Sequence, residues 1–268
     1  MDHMTTQPDP AAASAVEDER RSRAPWFPLI VIVLAQLQLN TNVSVLPVSL
    51  GPISEDLAAP ATALLLYSLF VAAFVMLGAK IGKLGGERRV FQAGVVVHGV
   101  AMGLMAASTD ASVMNIAQAI AGVSAAALVP TFVVLIAANY HGRQQATALG
   151  VLAGIPAVAS GLTFVIAGFL ATALSWRYSY GLIVVLAVVV FVLSFRLTPI
   201  PRQPSIRIDL VGVVLSAAAI ALILVGVNNL QTWGPLVAEA AAPFSLLRLS
   251  PAPVFILVGI VFGQAFFA

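Results

Sequence analysis

The sequence contains no cysteine among its 268 residues. This absence excludes disulfide bonds, a cysteine-ligated zinc site and a thiolate nucleophile. With only three histidines, no H-E-x-x-H segment and no G-x-x-x-x-G-K-[ST] segment, the sequence also lacks the signatures of zinc proteases and phosphate-binding loops. We therefore expect no enzymatic activity, no metal site and no cofactor, and an ATP-driven pump is excluded for this chain on its own.

Charged residues are also scarce, at 9% of the chain, whereas 60% of the residues are hydrophobic. A soluble domain carries about 25% charged residues, and the apolar runs here repeatedly reach the ~20 residues that a helix needs to cross a bilayer. The sequence therefore predicts an all-α polytopic membrane protein. Eight spans are predicted, at about residues 26–50, 61–79, 90–108, 112–139, 145–174, 178–197, 208–229 and 251–268.

Basic residues are distributed unevenly among the predicted loops. If the N-terminus is cytoplasmic, 11 of the 13 lysines and arginines lie on the cytoplasmic side, and only Arg177 and Arg248 lie outside. This bias follows the positive-inside rule, so we expect a multi-pass protein of the plasma membrane with a cytoplasmic N-terminus. No basic soluble module is visible, so the expected partner is the lipid bilayer and not a nucleic acid. The eleven residues are Arg20, Arg21, Arg23, Lys80, Lys83, Arg88, Arg89, Arg143, Arg196, Arg202 and Arg207.

None of the eleven aspartates and glutamates lies in the interior of a predicted span. An ionisable residue at mid-membrane commonly marks a proton relay, so the chain offers no direct proton carrier except His98 in the third span. A lone histidine is also typical of a hydrogen-bonded structural residue, and both interpretations stay open. The proton is retained only as a candidate coupling ion.

Polar side chains within the spans are the candidates for lining a substrate cavity. In the first span Gln36, Asn40 and Ser44 share one stripe. Gln38 and Asn42 lie on nearly the opposite side of the same helix. Amides inside a membrane need partners, so one stripe is expected to line a wet cavity and the other to bond a neighbouring helix. The further candidates, for which hydrogen bonding between helices is the alternative, are Tyr67, His98, Asn115 and Gln118.

A glycine-rich basic segment, predicted as a turn, follows the second span and reads GAKIGKLGGERRVF over residues 78–91. It resembles the cytoplasmic loop signature G-x-L-x-D-x-x-G-R-R of the major facilitator superfamily. Gly86, Arg88 and Arg89 match that signature, and Lys83 stands where the family usually has aspartate. The resemblance implies a cytoplasmic gate formed by Gly82, Lys83, Gly86, Arg88 and Arg89. The alternative is that these charges only determine the topology.

Two later features extend the resemblance. Residues 118–126 are similar to the fourth-helix pattern R-x-x-Q-G-x-G-A-A, with Gln118 in place of the arginine that the family associates with proton coupling. The first span is similar to the first-helix pattern of the fourteen-span drug:proton antiporter branch, with Asn42 where aspartate is common. Small residues of the fifth span share one face, which lets helices approach closely. This packing stripe comprises Gly150, Gly154, Ala157, Gly161 and Gly168.

The resemblance implies a division of the chain into three parts. Residues 1–25 are expected to form a disordered cytoplasmic tail, residues 26–197 a six-helix N-terminal bundle, and residues 198–268 a cytoplasmic linker with two further spans, after which the chain looks truncated. The implied function is secondary transport of a small organic molecule, as in drug or metabolite efflux, by alternating access. A homo-oligomer is expected only if the chain is complete. The alternative is a membrane scaffold or sensor that has the transporter fold but does not transport.

Overall fold

The computed structural model describes residues 24–57, 61–202, 209–245 and 248–267, and nearly all of the predicted tail lies outside these ranges. Within them the fold is built from α-helices, as predicted, with an isolated β-bridge between Val237 and Leu249. The helices are α1 (Phe27–Val48), α2 (Leu50–Leu57), α3 (Ala61–Gly85), α4 (Glu87–Ala107), α5 (Ala111–Asn139), α6 (Gly142–Ala173), α7 (Trp176–Ser194), α8 (Leu210–Asn228), α9 (Leu230–Trp233) and α10 (Pro251–Phe267).

Seven of the helices in the described ranges are long and apolar enough to cross a membrane. They are α1 and α3 to α8, and they correspond to the first seven predicted spans. The eighth predicted span forms α10, which has 17 residues. At 1.5 Å per residue α10 is about 26 Å long, which is the lower limit for a bilayer crossing.

Side chains at the starts of three of the seven long apolar helices satisfy backbone N–H groups that the helix itself leaves unpaired. Asp110 accepts hydrogen bonds from the backbone N–H groups of Ser112 and Val113 at 2.8 and 3.1 Å, at the start of α5. Ser175 and Asp209 cap α7 and α8 in the same way. These polar caps explain why each of the three spans begins where it does.

The segment predicted as a turn after the second span is mostly helical. α3 continues past the predicted end near residue 79 as far as Gly85, and α4 begins at Glu87. Gly86 alone separates the two helices, with φ of 89°, a left-handed conformation that glycine adopts without steric cost. The prediction of a broad turn was therefore wrong, because lysine and leucine favour a helix and extend it beyond the apolar span.

Close backbone contact between α3 and α5 depends on two glycines that face the opposite helix. A Cβ atom added at Gly78 would collide with the backbone oxygen of Ala126. A Cβ atom added at Gly122 would lie 2.6 Å from the backbone oxygen of Tyr67. Both helices therefore approach as closely as their main chains allow, the packing that small residues make possible in membranes.

α1 lies among the other helices of the bundle and packs against α5, α6 and α7, while α4 packs against α5 and α7. The hydroxyl of Tyr140 accepts a hydrogen bond from the Leu29 N–H and donates one to the Pro25 carbonyl, both at 3.0 Å, so it fixes the start of α1. α8 and α10 pack on each other, and α8 contacts α3. The last two apolar helices are thus attached at one edge of the six preceding ones, and the division into domains stays a prediction.

A polar cluster, the outer clamp, joins three elements at the end of the bundle opposite Gly86. The Asp56 carboxylate accepts hydrogen bonds from Trp176 Nε1 at 2.9 Å and Arg177 Nη1 at 2.7 Å. Arg177 also donates to the Ser108 carbonyl at 2.8 Å and lies 4.3 Å from the centroid of the Trp176 ring. The hydrogen bonds from Trp176 and Arg177 hold the pKa of Asp56 below its usual value. The clamp therefore connects α2, the end of α4 and the start of α7.

Replacing Gly122 by valine is expected to lower the melting temperature of the purified protein by roughly 5 °C or more. The added side chain would meet the Tyr67 backbone and force α3 away from α5. Thermal unfolding in detergent measures the effect. Gly181→Val on α7 is the matched control, because a Cβ atom there meets nothing within 4 Å, and equal shifts for both variants would contradict close packing at Gly122.

The outer clamp is expected to weaken in acid. A carboxylate with a lowered folded-state pKa contributes stability at neutral pH that disappears as the pH falls through that pKa. Asp56→Asn should therefore lower the melting temperature at pH 7, and its difference from the unsubstituted protein should shrink below about pH 4. Glu55→Gln is the control at the neighbouring position. A difference that stays constant from neutral to acidic pH would contradict an ionic clamp.

Candidate functional site

The amide side chains of α1 occupy two faces with different surroundings. Gln38 and Asn42 are buried, whereas Gln36 and Asn40 are half-buried. The Asn40 side-chain amide donates to the main-chain carbonyl of Gln36 at 2.8 Å. Within the described ranges no other helix supplies a hydrogen bond to the Gln36 and Asn40 side chains. Gln38 and Asn42 are therefore bonded to neighbouring helices. Ser44, on the same stripe as Gln36 and Asn40, is buried and its hydroxyl lies 3.1 Å from that of Ser160 on α6.

Asn42 and Gln118 form a reciprocal pair between α1 and α5. Asn42 Nδ2 donates to Gln118 Oε1 at 3.1 Å, and Gln118 Nε2 donates to Asn42 Oδ1 at 3.0 Å. Each side chain is only 1% exposed. Two hydrogen bonds satisfy these amides without placing a charge in the membrane interior. From the resemblance, aspartate is expected at position 42 and arginine at position 118. In this chain the two positions are in contact and hold a neutral pair.

Gln38 and His98 form a second buried pair, between α1 and α4. Gln38 Nε2 lies 2.9 Å from His98 Nδ1, and both side chains are fully buried. An amide nitrogen only donates, so Nδ1 accepts and the neutral ring carries its proton on Nε2. That Nε2 atom and Gln38 Oε1 have no partner among the described residues. The pair is thus a contact between helices that keeps one donor and one acceptor unused.

The remaining two candidates lie on α3 and α5. Asn115 is half-buried, and its enclosed Oδ1 atom has no partner in the described part of the chain. Tyr67 is 7% exposed and lies where α3 meets Gly122. The candidates therefore do not form one hydrogen-bonded cluster. A role for Gln36, Asn40 and Asn115 in lining a cavity stays a prediction.

A cavity of about 230 Å³ lies between α1, α6 and α7, and none of the predicted site residues lines it. Thr41, Thr163 and Ser179 contribute hydroxyl groups to its otherwise apolar lining. The enclosed Oγ atom of Ser179 has no partner among the described residues. Isolated hydroxyls in helices commonly bond to the preceding turn of their own backbone, so nothing in the sequence distinguished these three from structural residues.

The basic segment around Gly86 connects α3, α4 and α7. Arg88 donates through Nη2 to the carbonyl oxygen of Phe195 at the end of α7. Glu87, which was not a candidate, is 4% exposed, and its carboxylate lies against Gly82 close enough that a Cβ atom there would meet Oε2 at 2.5 Å. Lys83 is exposed and attracts this carboxylate. These contacts show how the segment fixes helix ends, and its action as a gate stays a prediction.

The small-residue stripe of α6 faces away from the described chain for most of its length. A Cβ atom at Gly150, Gly154 or Gly161 would meet nothing within 4 Å, and at Gly168 it would meet only a methyl group of α1 at 3.8 Å. Ala157 is exposed. Close helix packing along this stripe therefore stays a prediction, because most of it has no partner helix within the described ranges.

Residues 29–268 match the family model described as the Major Facilitator Superfamily. The chain belongs to this superfamily. It is 28% identical over 239 residues to "Puromycin resistance protein pur8" of Streptomyces alboniger, and the match covers 86% of this chain and 46% of that protein. It is 29% identical over 233 residues to "Multidrug efflux pump LfrA" of Mycolicibacterium smegmatis, covering 85% and 46%. The identity with "Cephamycin export protein CmcT" of Amycolatopsis lactamdurans is 27% over 225 residues, covering 81% and 46%.

Solved structures share the superfamily fold at low sequence identity. The POT family transporter PepTSo superposes with a TM-score of 0.60 at 11% identity, over 89% of this chain and 51% of that one. The human organic anion transporter MFSD10 gives a TM-score of 0.54 at 13% identity, over 92% and 72%. The fold class and the family resemblance expected from the sequence are therefore confirmed. The chain spans less than half the length of the curated relatives it matches.

A double-mutant cycle tests the Asn42–Gln118 pair. Asn42→Leu and Gln118→Leu are each expected to destabilise the protein by about 1–3 kcal/mol, because the remaining amide is buried without a partner. The double substitution removes both amides and should cost about 1 kcal/mol less than the sum of the single effects. Reversible unfolding in mixed micelles provides the three free energies. Additive effects would contradict a direct contact.

Proposed function

We propose that the complete protein is a secondary transporter that exports small organic molecules by alternating access. The supporting observation is the superfamily match over residues 29–268, together with relatives whose names describe export or resistance. In this fold two helical bundles rock about a site near the bilayer midplane. The alternative of a scaffold or sensor is not favoured, because these relatives are named as exporters or resistance proteins.

Under this proposal the described helices supply one wall of the substrate pathway. Gln36, Asn40 and Asn115 are the residues assigned to that wall, since each keeps polar atoms that no other helix in the described ranges satisfies. The exposed stripe of α6 is assigned to contact with a second bundle, because bare backbone allows another helix to approach closely. The basic segment around Gly86 is assigned to the cytoplasmic side of the plasma membrane, with the N-terminus on the same side.

The coupling ion enters the proposal only as a candidate. The Asn42–Gln118 pair carries no ionisable group, so a proton would have to be taken up elsewhere in the complete protein. His98 is held by Gln38 inside the bundle, and its fully buried position favours a structural role. Proton coupling through His98 therefore has weaker support than transport itself.

Efflux assays on the complete reading frame test the function. Cells that lack their own exporters and express the protein should accumulate less of some cationic or neutral organic compounds, and an ionophore that collapses the proton gradient should reveal any dependence on protons. Gln36→Leu with Asn40→Leu should reduce efflux at equal expression, because the polar wall is lost. Asn228→Leu, an exposed position at the end of α8, is the control.

Two outcomes of the efflux assay would count against the proposal. Unchanged accumulation for every compound in the panel would argue against transport. Full activity of the double variant at Gln36 and Asn40 would instead refute the assignment of the cavity wall, while the transport function would stand.

A further inference from the structure

A basic cavity of about 470 Å³ lies where α4 begins and α7 ends. Arg88, Arg89 and Arg202 line it together with Gln92 and backbone from Gly86. The Arg202 side chain lies over Gly86, where an added Cβ atom would come within 3.4 Å of its Cγ atom. Three arginines thus line one space. This space lies at the end of the bundle where most of the basic residues are found.

Two residues that line this basic cavity have enclosed side-chain donors without acceptors. Arg88 Nε and Gln92 Nε2 are enclosed and have no hydrogen-bond partner within the described ranges. The nearby carboxylate of Glu87 does not line the cavity and lies against Gly82 instead. The first turn of α4 has no side-chain cap, so its backbone N–H groups add positive potential. Enclosed, unpaired donors are rare in folded proteins. The three arginines, the two unpaired donors and the uncapped first turn of α4 together favour an anionic group with several acceptor oxygens.

An apolar groove of about 430 Å³ runs along the same two helices. It is lined on α4 by Val96, Val100 and Gly103 and on α7 by Val188 and Phe191, among other apolar residues. The Val100 and Val188 side chains are 59% and 57% exposed. Because the groove lies within the membrane-crossing parts of both helices, hydrocarbon is its natural surrounding.

The groove and the basic cavity adjoin each other along the helix axes. Gln92 of the cavity precedes Val96 of the groove by one helical turn on α4. On α7 the rings of Phe191 in the groove and Phe195 in the cavity pack edge to face with centroids 5.0 Å apart. From Val96 the groove continues about 12 Å along α4. A ligand that spans both spaces has an anionic end and a hydrocarbon end.

We propose that this surface binds an anionic phospholipid, with its phosphate in the basic cavity and an acyl chain in the groove between α4 and α7. A free phosphate would leave the groove unused, and a packed apolar helix would leave the arginines unpaired. A lipid fills the groove and pairs with the arginines. Anionic lipids are concentrated in the cytoplasmic leaflet, and the positive-inside rule places this end of the bundle on that side. The site lies apart from the residues assigned to the wall of the transport pathway, so it adds a lipid-binding function to the proposed export.

Lipid binding to the purified full-length protein tests the proposal. Native mass spectrometry would measure dissociation constants for phosphatidylglycerol and phosphatidylcholine with identical acyl chains, and inorganic phosphate would serve as the headgroup without the chain. We expect phosphatidylglycerol to bind at least ten-fold more tightly than phosphatidylcholine. Phosphate alone should not displace it at millimolar concentration, because the groove supplies part of the affinity.

Variants separate the two halves of the site. Arg89→Gln with Arg202→Gln should weaken phosphatidylglycerol binding roughly 30-fold, since each arginine near an anionic headgroup contributes about a factor of five. Arg88 is not substituted, because it also donates a hydrogen bond to the Phe195 carbonyl at the end of α7. The matched control, Arg143→Gln with Arg248→Gln, removes the same charge at exposed positions outside the cavity.

The groove is tested through Gly103, where an added Cβ atom has 4.0 Å to the nearest side chain, that of Val184. Gly103→Leu should fill the groove without moving the helices and weaken phosphatidylglycerol binding several-fold. Gly181→Leu, at an open position of α7 that does not line the groove, is its control.

Four results would overturn the proposal. One is equal affinity for the two lipids, and another is equal loss of binding in the cavity variant and its charge-matched control. The third is displacement of the lipid by phosphate with no effect of Gly103→Leu, which would identify a plain anion site. If a helix of the full-length protein covered the groove, Gly103→Leu would lower the melting temperature in lipid-free detergent, and this too would refute a lipid site.

Discussion

The interior of a bilayer supplies no hydrogen-bond partner, and this constraint organises the bundle around α1. Asn42 bonds Gln118 of α5, and Gln38 bonds His98 of α4. Rotation of α1 about its axis would break both contacts at once, so the two pairs determine which face of α1 is turned inward. As a direct result, the face with Gln36 and Asn40 is turned away from these two pairs.

The positions of the spans could be predicted from the sequence, because hydropathy depends on local composition alone. An apolar run shows where a span lies. Polar caps such as Asp110 and Asp209 bond backbone N–H groups only two or three residues away, so they too can be predicted from neighbouring residues. The segment after the second span was mispredicted because glycine and lysine looked like a turn. Within the folded chain a single backbone conformation at Gly86 suffices, and the residues before it stay helical.

The candidate site was predictable only in part, because pairing between distant residues has no local signature. The two opposed faces of α1 follow from helical periodicity, but that Asn42 would meet Gln118 required the fold. Glycine spacing drew attention to α6, whereas tight contacts between helices lie at other glycines, such as Gly78 and Gly122. The Asp56–Arg177 clamp and the partner of Arg88 were invisible for the same reason, since each joins residues more than a hundred positions apart.

The neutral character of the Asn42–Gln118 pair has an electrical consequence. Moving one elementary charge across the membrane involves about 2.3 kcal/mol for each 100 mV of potential. A carboxylate or an arginine at these positions would experience that field whenever the bundle changed its depth or tilt. Two uncharged amides carry no net charge for that field to move, so the membrane potential performs no work on this contact.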